Sequence, residues 1–348
     1  MRWILGLVLV VALITGALYG VGRFLLPNTL EVRREATIAR PRVAIFAMSN
    51  DLKIVKEWSP FYALDPDADY SFSGDSPGAG QTMRWRSTNR QVGNGQMAIV
   101  RSDDSQTIES IIQLNDQVTL NSVMREQPIT PHSTHVTWAV SAECSDGWIN
   151  VPCRYMNLVL RGMIQRHLDA GLGRLKALSE ELPDVDFEDL RPEFETVEPQ
   201  TYVFSPITTS DSDAAQMDAA LSQGVGQVND FFARNPGVTR AGDQVRVTTT
   251  TSTDTQNHQI SFRVGYPFSG PTPLTVVGVQ IGQTPSGRVM RVTHHGPRAH
   301  IRNTYDEIGA YLLAHRIAAE GAPWEIWVND GGDANPDATQ IEIYVPLK

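Results

Sequence analysis

The sequence predicts an α+β protein: two soluble modules behind one N-terminal apolar helix. Three observations carry this. The chain opens on a long uncharged apolar run. Short β-like runs, separated by Gly, Asp and Asn, then lead into one long helical stretch. The remainder shows the order strand, helix, strand, strand twice over. A length of 348 residues suits roughly two domains, and 41% apolar residues suffice for real cores.

The opening run, "WILGLVLVVALITGALYGVG", extends from Trp3 to Gly22 without a charge. That is about the length a bilayer-spanning helix needs. A cleaved signal peptide is the competing reading, with Thr15 and Ala17 as its small residues. The run continues through Leu18, Tyr19 and Val21, further than a signal requires. Residues 1–26 are therefore read as a transmembrane anchor. Arg2 on one side and Arg23, Arg33 and Arg34 on the other leave its orientation open.

Next, "LEVRREATIA" has a strand pattern. "RPRVAIFAMSNDLKIVKEW" has the spacing of one or two short helices, with Val43, Phe46 and Ala47, then Ile54, Val55 and Trp58 on the apolar side and Pro60 as the stop. Six β-like runs follow: "ADYSFSG", "QTMRWRST", "GQMAIVRS", "SQTIESIIQL", "QVTLNSVMRE" and "STHVTWAVSA". Asn94-Gly95 and Asn115-Asp116 punctuate them as turns. An antiparallel meander results. In the long run from Tyr155 to Leu182, the residues Leu160, Ile164, Leu168, Leu172, Leu175 and Leu178 recur at helical spacing. A curved sheet wrapped on one long helix, a helix grip, is predicted over 30–182, with room for an apolar cavity between the layers. Trp58, Phe61 and Trp85 are candidate wall residues, although plain core packing also explains them.

Cys144 and Cys153 bracket "SDGWINVP", with Asp146-Gly147 as a tight-turn signal. Two cysteines at the ends of one loop point to a local disulfide and an oxidising compartment. Two free buried thiols are the alternative. With the apolar helix, the cysteines favour an anchored protein whose soluble part lies outside the cytoplasm. The net charge is -10 and no basic run exists, so nucleic acid is not an expected partner.

The acidic, proline-bearing stretch from Leu182 to Pro199 contains the expected linker, residues 183–193. Residues 194–348 form the second domain. Its first unit is strand "TYVFSPITT", helix "DAAQMDAALSQGVGQVNDFFARN", strand "HQISFRVGYPF" and strand "LTVVGVQIG". Its second is strand "RVMRVTHHG", helix "RNTYDEIGAYLLAHRIAAEG", strand "PWEIWVND" and strand "TQIEIYVPL". Each unit alone has too few strands to be stable, so the two are expected to join in one domain.

Within "GAPWEIWVND", strand alternation puts Trp324, Ile326 and Val328 on one face and Glu325, Trp327 and Asn329 on the other. The first set is an expected core face. The second places a carboxylate beside a flat aromatic.

Two family resemblances rest on these residues. From about 30 to 182 the chain resembles the START-like, polyketide cyclase (SRPBCC) superfamily, through "IARPRVAIF", "EWSPFYALDP", "SGDSPGAGQTMRWRS" and the long final helix. "WSPF" stands where Trp-Ser-Pro-Trp is common, and Phe61 keeps the aromatic character. From about 193 to 348 it resembles the GyrI-like, or effector-binding, small-molecule-binding domain, through "RVTHHGPRAHIRNTYDEIGAYL", "PWEIWVND" and "TQIEIYVPL". That resemblance implies that Glu325 lies in a ligand cleft among aromatics. In some members this Glu binds lipophilic cations, and in a few relatives a Glu-Tyr pair supports hydrolysis. Trp327 stands where that family usually has Tyr, and an indole N–H cannot serve as a proton-transfer acid. A carboxylate beside a Trp face suits a cation by about 0.5–2 kcal/mol of cation–π attraction. Tyr305, Tyr266 and Tyr202 are the expected aromatic companions.

Other candidates yield less. His294 and His295 point to opposite faces of a strand, and with His300 they make no convincing metal site. His132 and His135 likewise diverge. Asp65, Asp67 and Asp69 lack the Gly and terminal Glu of a calcium loop. No phosphate loop, dinucleotide fingerprint or nucleophile elbow is present, and no cofactor is expected. The expected function is binding or sensing of a small amphipathic or cationic molecule. A hydrolase using Glu325, a cyclase-like activity in the first cavity, and a non-catalytic scaffold are the alternatives.

Overall fold

A computed structural model describes residues 2–103, 106–115, 118–145, 150–210, 214–248, 259–271, 277–329 and 335–348. Asp116 of the Asn115-Asp116 turn, the Asp146-Gly147 turn, residues 274–276 of "LTVVGVQIG" and Asp330 lie outside the described residues. The chain divides into two units, residues 1–187 with 314–316 and residues 188–313 with 317–348. The divide falls inside the 183–193 stretch. Within that stretch Phe187 and Leu190 are buried.

The first helix, α1 (Arg2–Phe24), is the one helix among the described residues long and apolar enough, by length and composition, to cross a membrane. Its side chains, Leu7, Leu9 and Leu13 among them, are exposed rather than packed in a core.

Unit 1 then forms β1 (Thr29–Ile38), α2 (Arg42–Ser49), α3 (Leu52–Trp58), α4 (Pro60–Leu64) and strands β2 (Asp69–Ser73), β3 (Thr82–Arg86), β4 (Gly95–Asp103), β5 (Thr107–Leu114), β6 (Val118–Thr130) and β7 (Ser133–Glu143). It closes on α5 (Val151–Glu180). Pro60 ends the expected helical stretch, since α3 stops at Trp58 with Ser59 as its C-cap. Pro60 also opens α4 at its first position, where a missing N–H costs nothing, and the Ser59 hydroxyl caps Phe61 N–H. On α2, Ala47 is buried as expected, while Val43 and Phe46 are only half-buried and Ala44, Ile45 and Met48 take the buried side with it.

The strands form one antiparallel sheet in the order β1-β7-β6-β5-β4-β3-β2. Asn94-Gly95 is less a free turn than the start of β4. Gly95 is required there, since a Cβ would lie 2.3 Å from Trp85 Cζ2 and 2.8 Å from the Gln113 carbonyl oxygen. The long helix α5 buries Ile164, Leu168, Leu172 and Leu175. Each contributes roughly 1.5–3 kcal/mol by leaving water. Leu160 and Leu178, at the ends of the expected stripe, are half-buried. Polar contacts hold α5 along β1: Arg34 pairs with Asp169 at 2.8 Å, and Lys176 donates to the Thr37 carbonyl at 2.7 Å. Cys144 and Cys153 form a disulfide between the end of β7 and the first turn of α5.

Unit 2 contains β8 (Glu193–Val197), β9 (Thr201–Ser210), α6 (Ala214–Arg234), β10 (Thr239–Arg240), β11 (Gln244–Thr248), β12 (Gln259–Ser269), β13 (Gln280–Gln283), β14 (Gly287–His295), α7 (Ile301–Ala314), β15 (Trp324–Asn329) and β16 (Gln340–Pro346). The expected repeat needs redrawing here. "QVRVT", which the expected repeat leaves unassigned, is β11 and, after the two-residue β10, supplies the strand that follows α6 in the main sheet. "LTVVGVQIG" contributes only the short edge strand β13. The true units are β9-α6-β11-β12 and β14-α7-β15-β16. The strand order β13-β9-β12-β11-β15-β16-β14-β8 reads the same outward from its centre, where β11 pairs antiparallel with β15. The second helix ends at Ala314, short of the expected Gly321. Arg316 adopts a left-handed φ of 55°, and Ile317 N–H closes back on the Leu312 carbonyl at 2.9 Å, a Schellman stop that propensity does not announce.

Candidate functional site

The central strand pair of unit 2 sets Arg246 directly opposite Glu325, one from each repeat. Glu325 is 6% exposed. Its carboxylate accepts from the Tyr305 hydroxyl at 2.8 Å and from the Trp327 indole N–H at 2.8 Å. Arg246 Nη1 lies 3.8 Å from the same carboxylate. The guanidinium sits over the Phe262 ring at 4.4 Å, and Arg298 sits over the Trp327 ring at 5.2 Å. Burial and the Glu325 charge push the Tyr305 phenol well above its ordinary range, so it stays a donor.

The alternation reading holds where it matters: Glu325 and Trp327 share a face, and Trp324 and Ile326 take the other. That other face belongs to a core of Tyr202, Phe204, Val245, Val247, Val289, Trp324 and Tyr344. Val328 is not part of it. At the outer end of β15 it is 41% exposed.

Of the expected companions, Tyr305 touches Glu325 directly. Tyr266 shares the face at its far end, where its hydroxyl donates to Gln244 Oε1 at 3.1 Å and its ring stacks under Arg240 at 4.1 Å. Gln244 in turn pairs with Trp327 in the β11–β15 register. Tyr202 is a correction. It is fully buried on the opposite face of the sheet, stacked on Phe204 at 4.8 Å, because β9 puts Val203 rather than Tyr202 towards α6. The sequence reading missed Arg246 and Arg298. Arg246 was findable only by recognising β11 and pairing it with β15.

Unit 1 holds open space of a different kind. A narrow cavity of about 60 Å³, counted as space open to the centre of a water molecule, lies between the sheet and α5. Trp58, Phe61, Trp85, Trp138, Met97 and Met163 are among its walls, and among the described residues His167 is the one titratable side chain on them. Phe61 stacks on Trp85 at 5.3 Å and meets His167 edge-on at 5.2 Å. Burial, aided by Arg166, lowers the pKa of His167, which favours the neutral ring. The Trp85 indole N–H is buried without a hydrogen-bond partner, whereas Trp58 and Trp138 donate to the Met48 carbonyl and Ser122 Oγ.

Residues 191–348 match the family described as the GyrI-like small molecule binding domain. The second unit carries this domain. No curated protein matches the chain. Among solved structures, the EcmrR C-terminal domain is similar at 15% identity over 46% of this chain and 98% of its own, with a TM-score of 0.38. Norcoclaurine synthase from Thalictrum flavum, in complex with dopamine and hydroxybenzaldehyde, is similar at 13% identity over 44% of this chain and 87% of its own, with a TM-score of 0.35. A hydrolase from Listeria innocua is similar at 11% identity over 45% and 92%, with a TM-score of 0.33.

Within the GyrI-like domain, His294 is a structural residue. It is buried, with Nδ1 2.8 Å from Thr304 Oγ1. His295 points outward. Among the described residues, no group of three or more His, Cys, Asp or Glu side chains is placed to hold a metal ion.

Proposed function

We propose that the protein is a membrane-anchored, extracytoplasmic binder of small amphipathic molecules, with its principal site on the Glu325 face of the GyrI-like domain. The single observation that carries this is the family match over residues 191–348, with Glu325, Tyr305 and Trp327 gathered on one face of the sheet. The exported placement rests on α1 and on the Cys144–Cys153 disulfide, a bond typical of oxidising compartments. Protease added to spheroplasts should digest the soluble units without lysis. Protection until lysis refutes the placement.

The cluster revises the ligand preference that the resemblance implies. Arg246 already answers the Glu325 charge, and Arg298 already occupies a face of Trp327. A cationic ligand must compete with both, so charge confers little advantage. Titration calorimetry of the full chain in nanodiscs, with a lipophilic quaternary ammonium and its neutral isostere, tests this. Comparable affinities are expected, with loss of about tenfold, roughly 1.4 kcal/mol, on Trp327→Ala. Binding unaffected by both Trp327→Ala and Tyr305→Phe, or no binding of either compound, overturns the assignment.

Unit 1 is proposed as a START-like (SRPBCC) helix-grip module. Its cavity suits a small apolar group bearing one acceptor for the Trp85 N–H. Trp85→Phe should then weaken an acceptor-bearing ligand but not its hydrocarbon analogue. Equal affinities for both argue against that role.

One observation favours hydrolysis as a second reading. The Tyr305–Glu325 contact restores, from α7, the carboxylate–phenol pair that Trp327 removes from β15. Release of nitrophenol from aryl esters, lost in Tyr305→Phe, would support it. No turnover by the wild type excludes it for such substrates.

A further inference from the structure

The opening turns of α5 present an apolar surface that the unit 1 core does not use. Met156, Leu158 and Val159 are exposed, Val159 at 72%. This surface adjoins α1. The Tyr155 hydroxyl donates to the Leu18 carbonyl at 2.6 Å, and Arg154 Nη1 donates to the carbonyls of Arg23 at 2.9 Å and Leu26 at 2.8 Å, capping the end of α1. Gly22 lies directly against α5. A Cβ there would lie 2.3 Å from Val151 Cγ1 and 2.6 Å from Tyr155 Cε2. Leu18, Tyr19, Val151, Met156 and Val159 line one shallow groove between the two helices, so their apolar faces are continuous.

Charge distinguishes the same stretch. From Val151 to His167, α5 carries Arg154, Arg161 and Arg166 and no acidic residue, in a chain of net charge -10. Arg161 and Arg166 are exposed. Apolar side chains beside unbalanced arginines match the two layers of an anionic lipid surface, acyl chains below and phosphates above. Depth agrees. Leu18 lies about 9 Å inside the Phe24 end of α1 at 1.5 Å per residue, so a residue bonded to Leu18 is carried below the membrane boundary, into the acyl-chain layer, when α1 spans.

We infer that the start of α5 lies in the membrane interface, with Met156, Leu158 and Val159 among lipid chains and Arg161 and Arg166 among anionic headgroups. This rests on the reading of α1 as a membrane span.

Lipid quenching separates the two ideas. The full chain, with its disulfide oxidised, is placed in phosphatidylcholine nanodiscs with or without phosphatidylglycerol. An environment-sensitive fluorophore is attached at Val159→Cys, at Leu13→Cys in α1, or at Ala177→Cys far along α5. Acyl-chain spin labels should quench the first two, with quenching at position 159 at least about twofold that at 177. Arg161→Gln with Arg166→Gln should remove the part of that quenching that depends on phosphatidylglycerol. Gly22→Leu, which wedges the helices apart, should lower quenching at 159 and leave 13 unchanged. If 13 is quenched and 159 behaves like 177, the inference falls while the span stands. If 13 is not quenched, both fall. A label at 159 that is shielded from iodide yet unquenched by lipid means that protein covers the patch, and that also overturns the inference.

Discussion

Glu126 in unit 1 and Glu325 in the GyrI-like domain are both buried carboxyls, 1% and 6% exposed, and they are housed in opposite ways. Glu325 meets a phenol, an indole N–H and a guanidinium. Glu126, on the inner face of β6, has no hydrogen-bond partner of good geometry for either oxygen, although Ser49 and Arg42 lie near. Burial pushes its pKa up to about 8, only partly offset by Ser49 and Arg42. A buried carboxyl must be paired or kept neutral. The two units use one solution each, and the same substitution at the two sites should therefore have opposite consequences.

The largest effect is expected at the paired site. Glu325→Gln leaves the largely buried Arg246 without its counter-charge and should cost on the order of 3 kcal/mol. Arg246→Met combined with Glu325→Gln should recover most of that. Chemical denaturation of the single and double variants measures the coupling. If the double variant is as unstable as the sum of the singles, the two residues act independently and the comparison fails.

At the unpaired site the sign reverses with pH. The folded chain holds Glu126 protonated at pH values where the unfolded chain has released the proton. This stability is full below the ordinary carboxyl range and is lost as pH rises through about 8. Between pH 5 and pH 8 the loss should be on the order of 3 kcal/mol, and Glu126→Gln should abolish it and be the more stable protein at pH 8. Parallel pH profiles for wild type and variant would show that Glu126 does not titrate in this range.

The smallest effect concerns the cavity wall. Trp85→Phe removes ring volume but also the orphaned N–H, and the two costs oppose each other. Stability should stay within about 1 kcal/mol of wild type. A loss several times larger would mean that the indole N–H has a partner in solution, such as a bound water.

Much of the architecture was legible because periodicity reports burial directly. The meander and the Leu172–Leu175 stretch of α5 follow from alternation and helical spacing. Placing Glu325 with Trp327 needed only the two-residue repeat of a strand. The misreadings share a cause. "QVRVT" is short and half polar, so nothing local marks β11 as the centre of a sheet. Tyr202 and Val203 are both apolar and adjacent, so a buried strand offers no polar face to orient them. Pro60 stops α3 as expected, and nothing local announces that it also opens α4.

The element types, the apolar N-terminal helix, the acidic balance and the face that Glu325 shares with Trp327 can be read from the chain without its fold. These are local properties of composition and period. The assembly of the sheet set Arg246 opposite Glu325 and laid Arg298 over Trp327. It also decided that Tyr202 turns away, that Glu126 is left unpaired and that Trp85 keeps a free donor. Each depends on which strands become neighbours. That choice is made by burying the apolar faces of the whole sheet together, and no window of sequence contains it.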